Sequence, residues 1–246
     1  MINLRIAVLS DIHGNRLALE AVLKDIKNRG IETIVDLGDS LYGPLDPGGT
    51  AELLIKNKIP SIRGNEDQLI LEPSEGNPTL EYVLNNLNST HIKWLENLSV
   101  TEVKEDFFLC HASPDNNNEY LIEQVLETGV FLREPYKLLR KVKAIQQQII
   151  FCGHSHVPNI IYLINGKYIV NPGSVGLPAY KDDVPYSHSM EVGSPHARYC
   201  IISKMNVNWA FEIIAVPYNW EAAALMALKN GRTDWAAWLR TGRAFL

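Results

Sequence analysis

Short apolar runs alternate with amphipathic segments through the first 62 residues, and this order constrains the fold more than any other feature of the chain. Residues 4–10 form an apolar run that leads into a polar loop, which is typical of a buried parallel strand. The next segment has apolar residues at helical spacing, with Asn15 as the candidate N-cap and Gly30 at its end. The pattern repeats over residues 33–62 as strand, helix and strand. This order predicts right-handed crossovers and a parallel sheet.

The middle of the chain is predicted to be largely helical, and the part beyond residue 152 to consist mostly of strands. Asn165 and Gly166 lie between two apolar runs and indicate a hairpin, because both residues tolerate positive φ. Residues 178–196 are too polar and too numerous for a simple connection, so we expect a lid or a mobile segment there. The other predicted elements are helices over 78–98, 119–126 and 135–146, a strand over 149–152, hairpins over 100–110 and 198–216, and closing helices over 220–229 and 234–240. Since the sequence contains no repeat and no linker, we predict one domain over residues 1–246.

Composition and charge exclude several function classes. Hydrophobic residues make up 46% of the 246 residues and charged residues 21%, as in ordinary globular proteins. The formal net charge is −5, so a nucleic-acid polymer, which is bound through clustered Lys and Arg, is not an expected partner. No stretch approaches the about 20 apolar residues that a membrane span needs, so no membrane partner is expected either. The charge leaves the oligomeric state open.

The three cysteines indicate a reducing environment. Cys110, Cys152 and Cys200 are odd in number, and each lies in an apolar, strand-like run. They are therefore predicted to be buried free thiols rather than parts of a disulfide framework. Because the N-terminal residues also lack the pattern of a secretory leader, we expect a cytoplasmic protein.

Polar residues with metal-ligand chemistry follow the predicted strands of the first half. Asp11 and His13 come directly after the first strand, Asp39 follows the second strand, and Asn65 follows the third. The carboxyl ends of parallel strands lie along one edge of a sheet, where ligands bind in open α/β folds. We therefore expect these four side chains to converge.

Three histidines follow later strands in the same way. His111 comes after the strand that ends the predicted hairpin over 100–110, and His154 and His156 come after the strand over 149–152. With the four residues above they make seven oxygen and nitrogen donors, too many for one ordinary site, and such a mixed set suits two cations. Gly64 and Gly153 allow the backbone to approach the candidate ligands closely.

These motifs, in this order, resemble those of the calcineurin-like metallophosphoesterases. The motifs are Asp-x-His, Gly-Asp, Gly-Asn-x-Asp, His and Gly-His-x-His, spread over residues 4–176. The segments Asp-Ile-His-Gly-Asn at 11–15 and Asn-Pro-Gly-Ser at 171–174 are similar to the small bacterial and archaeal phosphodiesterase branch. The resemblance implies an α/β fold, namely a four-layer α-β-β-α sandwich with two central mixed β-sheets.

The resemblance also implies a ligand set for two divalent transition metal ions. It assigns the first metal to Asp11, His13 and His156, the second to Asn65, His111 and His154, and a bridging position to Asp39. Imidazole ligands favour a transition metal over Mg or Ca. We expect Mn first, with Fe, Ni, Co or Zn as alternatives. The residues expected to contribute to catalysis are Asp39, Asn65, Glu66 and His111.

The predicted activity is the hydrolysis of small phosphate esters, with phosphodiesters preferred. Two cations about 3.5–4 Å apart can share a bridging hydroxide and present it in line with phosphorus. One alternative is a phosphomonoesterase for nucleotides, dinucleotide polyphosphates or phosphoproteins. Another is a metal-binding regulatory protein that has only weak catalytic activity.

One position departs from the family pattern. Many members have a histidine after the metal-binding asparagine, where it contacts the substrate and can protonate the leaving oxygen, whereas this chain has Glu66. A glutamate is usually ionised near neutral pH, so the identity of the general acid is open. His188 and His196, in the segment 178–196, are weaker candidates for that role. We interpret Trp235 and Trp238 as packing residues of a helix.

Overall fold

The structure is a computed structural model that describes residues 4–72, 76–206 and 208–244. Within these residues the helices are α1 (Arg16–Asn28), α2 (Pro47–Lys56), α3 (Asn65–Ile70), α4 (Pro78–Asn85), α5 (Ser89–Glu96), α6 (Pro135–Lys141), α7 (Trp220–Lys229) and α8 (Thr233–Thr241). The strands are β1 (Arg5–Leu9), β2 (Thr33–Asp36), β3 (Thr101–Val103), β4 (Phe107–Cys110), β5 (Glu123–Leu126), β6 (Gly129–Leu132), β7 (Ile149–Phe151), β8 (Asn159–Tyr162), β9 (Tyr168–Asn171), β10 (Ala179–Asp182), β11 (His188–Glu191), β12 (Ala197–Met205) and β13 (Asn208–Val216).

Two mixed sheets form the centre of the molecule. The first has the strand order β13-β12-β1-β2, in which β1 and β2 are parallel and the other neighbours are antiparallel. The second has the order β3-β4-β7-β9-β8, in which β4, β7 and β9 are parallel and the two outer strands are antiparallel to their neighbours. The parallel strands of each sheet send their carboxyl ends to one edge, where the candidate ligands begin.

The alternation of side chains along the strands builds the layers. In β1, Ile6 and Val8 belong to a core cluster that also contains Phe151 of the second sheet, so this cluster joins the two sheets. Ala7 and Leu9 point the other way and pack with α1. In the same manner Ile150 of β7 packs against α6 on the outside of the second sheet. The predicted four-layer α-β-β-α sandwich is therefore confirmed.

The predicted helix over 119–126 is wrong. Its second half is strand β5, which pairs with β6 in an antiparallel hairpin with Leu126 opposite Gly129. In β5, Glu123 and Val125 are buried while Leu126 is exposed. This alternation of side chains between the two faces has the two-residue period of a strand. The cross-strand pairing with β6 and the packing of Val125 against Tyr120 override the local helical pattern.

Two other predictions need correction. Residues 178–196, which we expected to be an irregular lid or mobile segment, contain regular structure, because β10 and β11 pair there as an antiparallel hairpin. The predicted third strand over 59–62 is reduced to a single parallel bridge between Asp36 and Ser61. Pro60 explains the reduction, since it accepts a hydrogen bond from the amide of Asp36 but has no N–H with which to extend the ladder. Across the described ranges, no helix has both the length and the apolar character required to cross a membrane.

Candidate metal centre

The candidate ligands lie in loops at the carboxyl ends of the central strands. Asp11 and His13 follow β1, and Asp39 follows β2. The two loops are joined by backbone hydrogen bonds, since Asp11 N donates to Gly38 O at 2.9 Å and His13 N donates to Asp39 O at 2.9 Å. Asn65 begins α3, His111 follows β4, and the pair of histidines at 154 and 156 follows β7. The convergence expected from the strand order is present.

Asp11, His13 and His156 form the first group. One ligand atom from each of them lies within 4.8 Å of the other two, and all three residues are buried. Nε2 of His156 is 3.3 Å from Oδ1 of Asp11. The two imidazoles approach even more closely, with 3.0 Å between their Nε2 atoms.

Asp39, His111 and His154 form the second group, again with ligand atoms within 4.8 Å of one another. Nε2 of His111 lies 3.1 Å from Oδ2 of Asp39, but without the geometry of a hydrogen bond. Asn65 lines the same cavity as His154, and its Oδ1 is buried without a hydrogen-bond partner among the described residues. A buried amide oxygen and imidazole nitrogen without partners are costly unless a cation is bound there.

Backbone carbonyls orient three of the four imidazoles. Nδ1 of His13 donates to Tyr42 O at 3.0 Å, Nδ1 of His111 to Leu37 O at 2.9 Å, and Nδ1 of His156 to Leu177 O at 2.7 Å. A neutral imidazole that donates through Nδ1 has its lone pair on Nε2, which here points into the centre. The donor chemistry and the orientation of these rings therefore fit divalent metal ions.

The backbone at five of the seven candidate ligands is in the left-handed region. The φ values are 55° at Asp11, 52° at His13, 53° at Asp39, 67° at His154 and 60° at His156. Residues other than glycine seldom adopt this conformation, and it persists at functional sites when the surrounding contacts enforce it. Both predicted close approaches are also present, because a Cβ atom at Gly64 would collide with the carboxylate of Asp39, and one at Gly153 with Ser10 and Asp11.

Asp67 is a residue of the site for which the sequence analysis proposed no role. Its carboxylate accepts hydrogen bonds from the backbone amides of Ser40 at 3.0 Å, Leu41 at 3.1 Å and Gly64 at 3.2 Å. It thereby ties the loop after β2 to the start of α3. The Gly-Asn-x-Asp spacing was the signal that could have identified it.

The charged groups of the centre shift each other's pKa values. Burial lowers the pKa of His13, but the contact with Glu66 and the charges of Asp39 and Asp11 outweigh burial and raise that pKa to about 9. Burial likewise opposes protonation of His111, but Asp39 and Asp11 raise its pKa to about 10. Burial raises the pKa of Asp39, and the nearby His111 outweighs this and lowers it. The carboxylates thus favour positive charge at these rings, as a proton or as a metal ion.

The other residues singled out in the sequence have varied positions. Glu66 lines the cavity, and its Oε2 lies 3.2 Å from Nδ1 of His13. His188 is buried behind Tyr120, with 3.0 Å between Nε2 and the hydroxyl oxygen, so it is not positioned as a replacement acid. The ring of His196 packs against that of Trp220 in a tilted arrangement, with 5.5 Å between the ring centroids. Neither histidine belongs to the lining of the cavity.

Asn15 and the C-terminal tryptophans have structural contacts. Oδ1 of Asn15 accepts the amide of Ala18 at 3.1 Å, which caps α1, and its Nδ2 donates to Gly176 O. Trp235 is 3% exposed and packs in the core as predicted. It also makes a contact that the sequence did not predict: its ring meets the ring of His13 edge-on, with 5.8 Å between the centroids.

The cavity above the centre has a volume of about 290 Å³. Besides the candidate ligands, its wall is made by Tyr42, Leu177, Tyr180, Lys181, Asp182, Arg232, Trp235 and Trp238. These residues come from the β10–β11 hairpin, from α8 and its N-cap Arg232, and from the loops after β2 and β9. The cavity is large enough for a small organic ester.

Comparisons with known proteins point to one superfamily. The model of the calcineurin-like phosphoesterase superfamily domain matches residues 4–190. The chain is 31% identical over 271 aligned residues to the uncharacterized protein MJ0912 of Methanocaldococcus jannaschii, and the alignment covers 96% of each chain.

Two solved structures are similar over nearly the whole chain. The metallophosphoesterase from Sphaerobacter thermophilus has a TM-score of 0.77 and 25% identity, over 98% of this chain and 100% of that one. The hypothetical protein PH1004 from Pyrococcus horikoshii OT3 shares the fold with a TM-score of 0.73 and 19% identity, over 98% and 99% of the two chains. On the motifs, the fold and these matches, the chain belongs to the calcineurin-like phosphoesterase superfamily and is a metal-binding hydrolase that acts on ester bonds.

Proposed function

We propose that the protein hydrolyses small phosphate esters with two divalent cations and prefers diesters to monoesters. The observation that carries this proposal is the position of Asp39 between the two groups of ligands. Its carboxylate belongs to the second group, with His111 and His154, and it also lies within 4.8 Å of a ring nitrogen of His13, a member of the first group. A carboxylate between two groups of ligands is suited to bridge two metal ions.

The proposed ligands follow the family pattern. Asp11, His13 and His156 would hold the first metal, Asn65, His111 and His154 the second, and Asp39 both. When bound, two such cations neutralise phosphoryl oxygens and lower the pKa of water toward neutrality. Because four of the seven ligands are imidazoles, we expect a transition metal, Mn first and Fe, Ni, Co or Zn as alternatives.

The charges of the cavity support a preference for diesters. Glu66 and Asp182, which are not proposed as metal ligands, line it, and their carboxylates repel anions. A diester has one negative charge, whereas a fully ionised monoester has two, so the monoester is repelled more strongly. The cavity volume of about 290 Å³ suits a small substrate rather than a polymer.

A phosphomonoesterase for nucleotides or dinucleotide polyphosphates is the second candidate. It is favoured by Lys181 and Arg232, two cations in the wall of the cavity that could contact a second phosphate group. Arg232 is held in place by its ion pair with Asp234, at 2.6 Å, and by a hydrogen bond to Thr79.

The test is hydrolysis by protein depleted of metal with EDTA and then reconstituted with Mn²⁺. We expect Mn²⁺-dependent turnover of bis(p-nitrophenyl) phosphate, slower turnover of p-nitrophenyl phosphate, and two metal ions per chain by elemental analysis. His111→Ala is the control for a contaminating enzyme and should abolish the activity. Faster turnover of the monoester would favour the second candidate, and two tightly bound metals without turnover would favour a regulatory protein.

We also propose a cytoplasmic location. Cys110, Cys152 and Cys200 are all buried and free, which suits a reducing compartment. Fractionation of the source cells, followed by detection with an antibody, would test this proposal.

A further inference from the structure

Glu66 stands at the start of α3 and contacts two candidate ligands. Its backbone amide donates to Oδ1 of Asp39 at 2.9 Å, which fixes the position of its Cα atom. Its side chain turns toward the first group, where Oε2 lies 3.2 Å from Nδ1 of His13. The side chain is 31% exposed, whereas that of His13 is 2% exposed, so the carboxylate lies at the boundary between the cavity and the buried ring.

Nδ1 of His13 thus faces two oxygen atoms. It donates its proton to Tyr42 O at 3.0 Å, and the carboxylate of Glu66 adds a negative charge on the same side of the ring. On the opposite side of the imidazole, Nε2 points toward Asp11 and His156. A carboxylate behind a ligating imidazole fixes the orientation of the ring and makes the ligating nitrogen a better donor to a cation.

Two other rings of the first and second groups are arranged differently. Nδ1 of His111 and Nδ1 of His156 each donate to a backbone carbonyl, and in the described residues the contact of each ring with a carboxylate oxygen is made by Nε2. The contact between Glu66 and His13 therefore distinguishes the first group from the second. Any effect that Glu66 has through a ring should be confined to one metal position.

We propose that Glu66 is a positioning residue for His13 and that it sets the affinity of the first metal position through that ring. This inference rests on the proposed function, because it takes Asp11, His13 and His156 as ligands of a cation. It gives the carboxylate a role at the position where the family pattern has a substrate-contacting histidine. In this role Glu66 holds a ligand and does not transfer a proton to the leaving group.

The experiment measures Mn²⁺ affinity of each position separately in metal-free protein, by electron paramagnetic resonance of free Mn²⁺. His154→Ala weakens the second position, so the first can be titrated in that background. There we expect Glu66→Ala to raise the Kd for Mn²⁺ about tenfold, the lower end of the range for outer partners of metal ligands. Glu66→Gln keeps an oxygen that can accept from Nδ1, and we expect a smaller increase in Kd.

Two controls separate the contact from general effects of charge and folding. Asp182→Asn removes a carboxylate that lines the same cavity and accepts a hydrogen bond from the backbone amide of Val184. This variant should leave the Kd of the first metal position unchanged, because Asp182 lies more than 4.0 Å from every histidine nitrogen in the described residues. In the background of His156→Ala, which weakens the first position, Glu66→Ala should leave the Kd of the second position unchanged. Thermal unfolding of each metal-free variant checks that the fold is retained.

The outcomes distinguish the two proposals. If the unmutated protein binds no Mn²⁺ or only one ion, the proposed dinuclear function fails and the inference fails with it. If two ions bind but Glu66→Ala changes neither Kd, the inference alone is overturned. Equal losses at both positions, or an equal loss in Asp182→Asn, also overturn it, because the effect would then come from charge or from Asp39 rather than from His13.

Discussion

Nε2 of His13 and Nε2 of His156 lie 3.0 Å apart in the buried centre. Each ring donates through Nδ1 to a backbone carbonyl, so in their neutral forms both rings direct a lone pair into the same space. Two facing acceptors are unfavourable unless a positive charge lies between them or beside them. The centre therefore has a strong tendency to bind a proton or a metal ion.

Metal removal should lower the thermal stability. A ligand that binds only the folded state stabilises it by about 2.7 kcal/mol at 100 times its Kd, which is about 5–10 °C in Tm for a chain of this size. We expect this increase in Tm when Mn²⁺ is added to EDTA-treated protein at neutral pH, measured by differential scanning fluorimetry. The double variant His13→Ala/His111→Ala is the control and should lose most of the increase. An unchanged Tm at saturating Mn²⁺ would contradict the metal assignment.

The two histidines after β7 should serve different metals. His156 lies with Asp11 and His13, and His154 lies with Asp39 and His111. We expect His156→Ala to weaken mainly the first metal and His154→Ala mainly the second. Anomalous diffraction from Mn²⁺-soaked crystals of both variants measures the occupancy at each position. The reverse pattern of occupancies would show that the ligand sets have been assigned wrongly.

Asp39→Asn should reduce the occupancy of both metals together. The amide keeps an oxygen for the hydrogen bond from the backbone of Glu66, so α3 stays in place, but the shared negative charge is lost. We expect activity to fall at least about 100-fold, together with the metal content. Elemental analysis and kcat on the same preparation check this. Retention of both ions with near-normal turnover would mean that Asp39 is not the bridge.

The acidity of the leaving group should govern the rate. Of the three candidates for the general acid, Glu66 contacts His13, and His188 and His196 lie outside the lining of the cavity. Without a positioned acid, an alkoxide leaves poorly, since general acid catalysis contributes about 10²–10⁴-fold. We expect kcat/KM for a series of aryl methyl phosphates to fall steeply as the pKa of the phenol rises, and aryl diesters to react faster than alkyl monoesters.

A flat series would instead reveal a proton donor. Tyr180 and Lys181 line the cavity, and their side chains are of types that can donate a hydrogen bond. In that case Tyr180→Phe and Lys181→Met, measured with the same esters, would show which residue restores the steep dependence when it is removed.

Asp36 should make stability depend on pH. It is fully buried, Oδ2 accepts from Ser40 Oγ at 2.7 Å, and Oδ1 has no hydrogen-bond partner in the described part of the chain. Burial, together with the charge of Asp67, raises its pKa from 3.8 to about 7, although the hydrogen bond from Ser40 opposes this shift. The folded state therefore binds the proton more tightly than the unfolded state, and stability falls as the pH rises between these two pKa values.

Asp36→Asn removes that titration. The free energy of unfolding of the variant minus that of the unmutated protein should rise with pH, by up to about 1.4 kcal/mol per pH unit between about pH 4 and pH 7, and then level off. Urea unfolding of the EDTA-treated proteins at pH 5 and pH 8 measures the difference. A difference that is the same at both pH values would contradict the raised pKa.

The sequence by itself determined the parts of this protein that depend on local periodicity and turn chemistry. The order of β1, α1 and β2 follows from apolar spacing, and the hairpin of β8 and β9 follows from Asn165 and Gly166, which can adopt the required turn. The candidate ligands could be found because each stands directly after an apolar run, and parallel strands bring such positions to one edge.

Only the tertiary structure decided the contacts between distant segments. Residues 119–126 contain a strand because β6 is available to pair with it, and residues 178–196 form a hairpin that supplies Tyr180 to the cavity. In the same way, Glu66 meets His13, and Trp235 of α8 packs on the same ring. No local pattern encodes these contacts, because they depend on the free energy of burying surfaces from segments that are separated along the chain and become neighbours only when the layers pack.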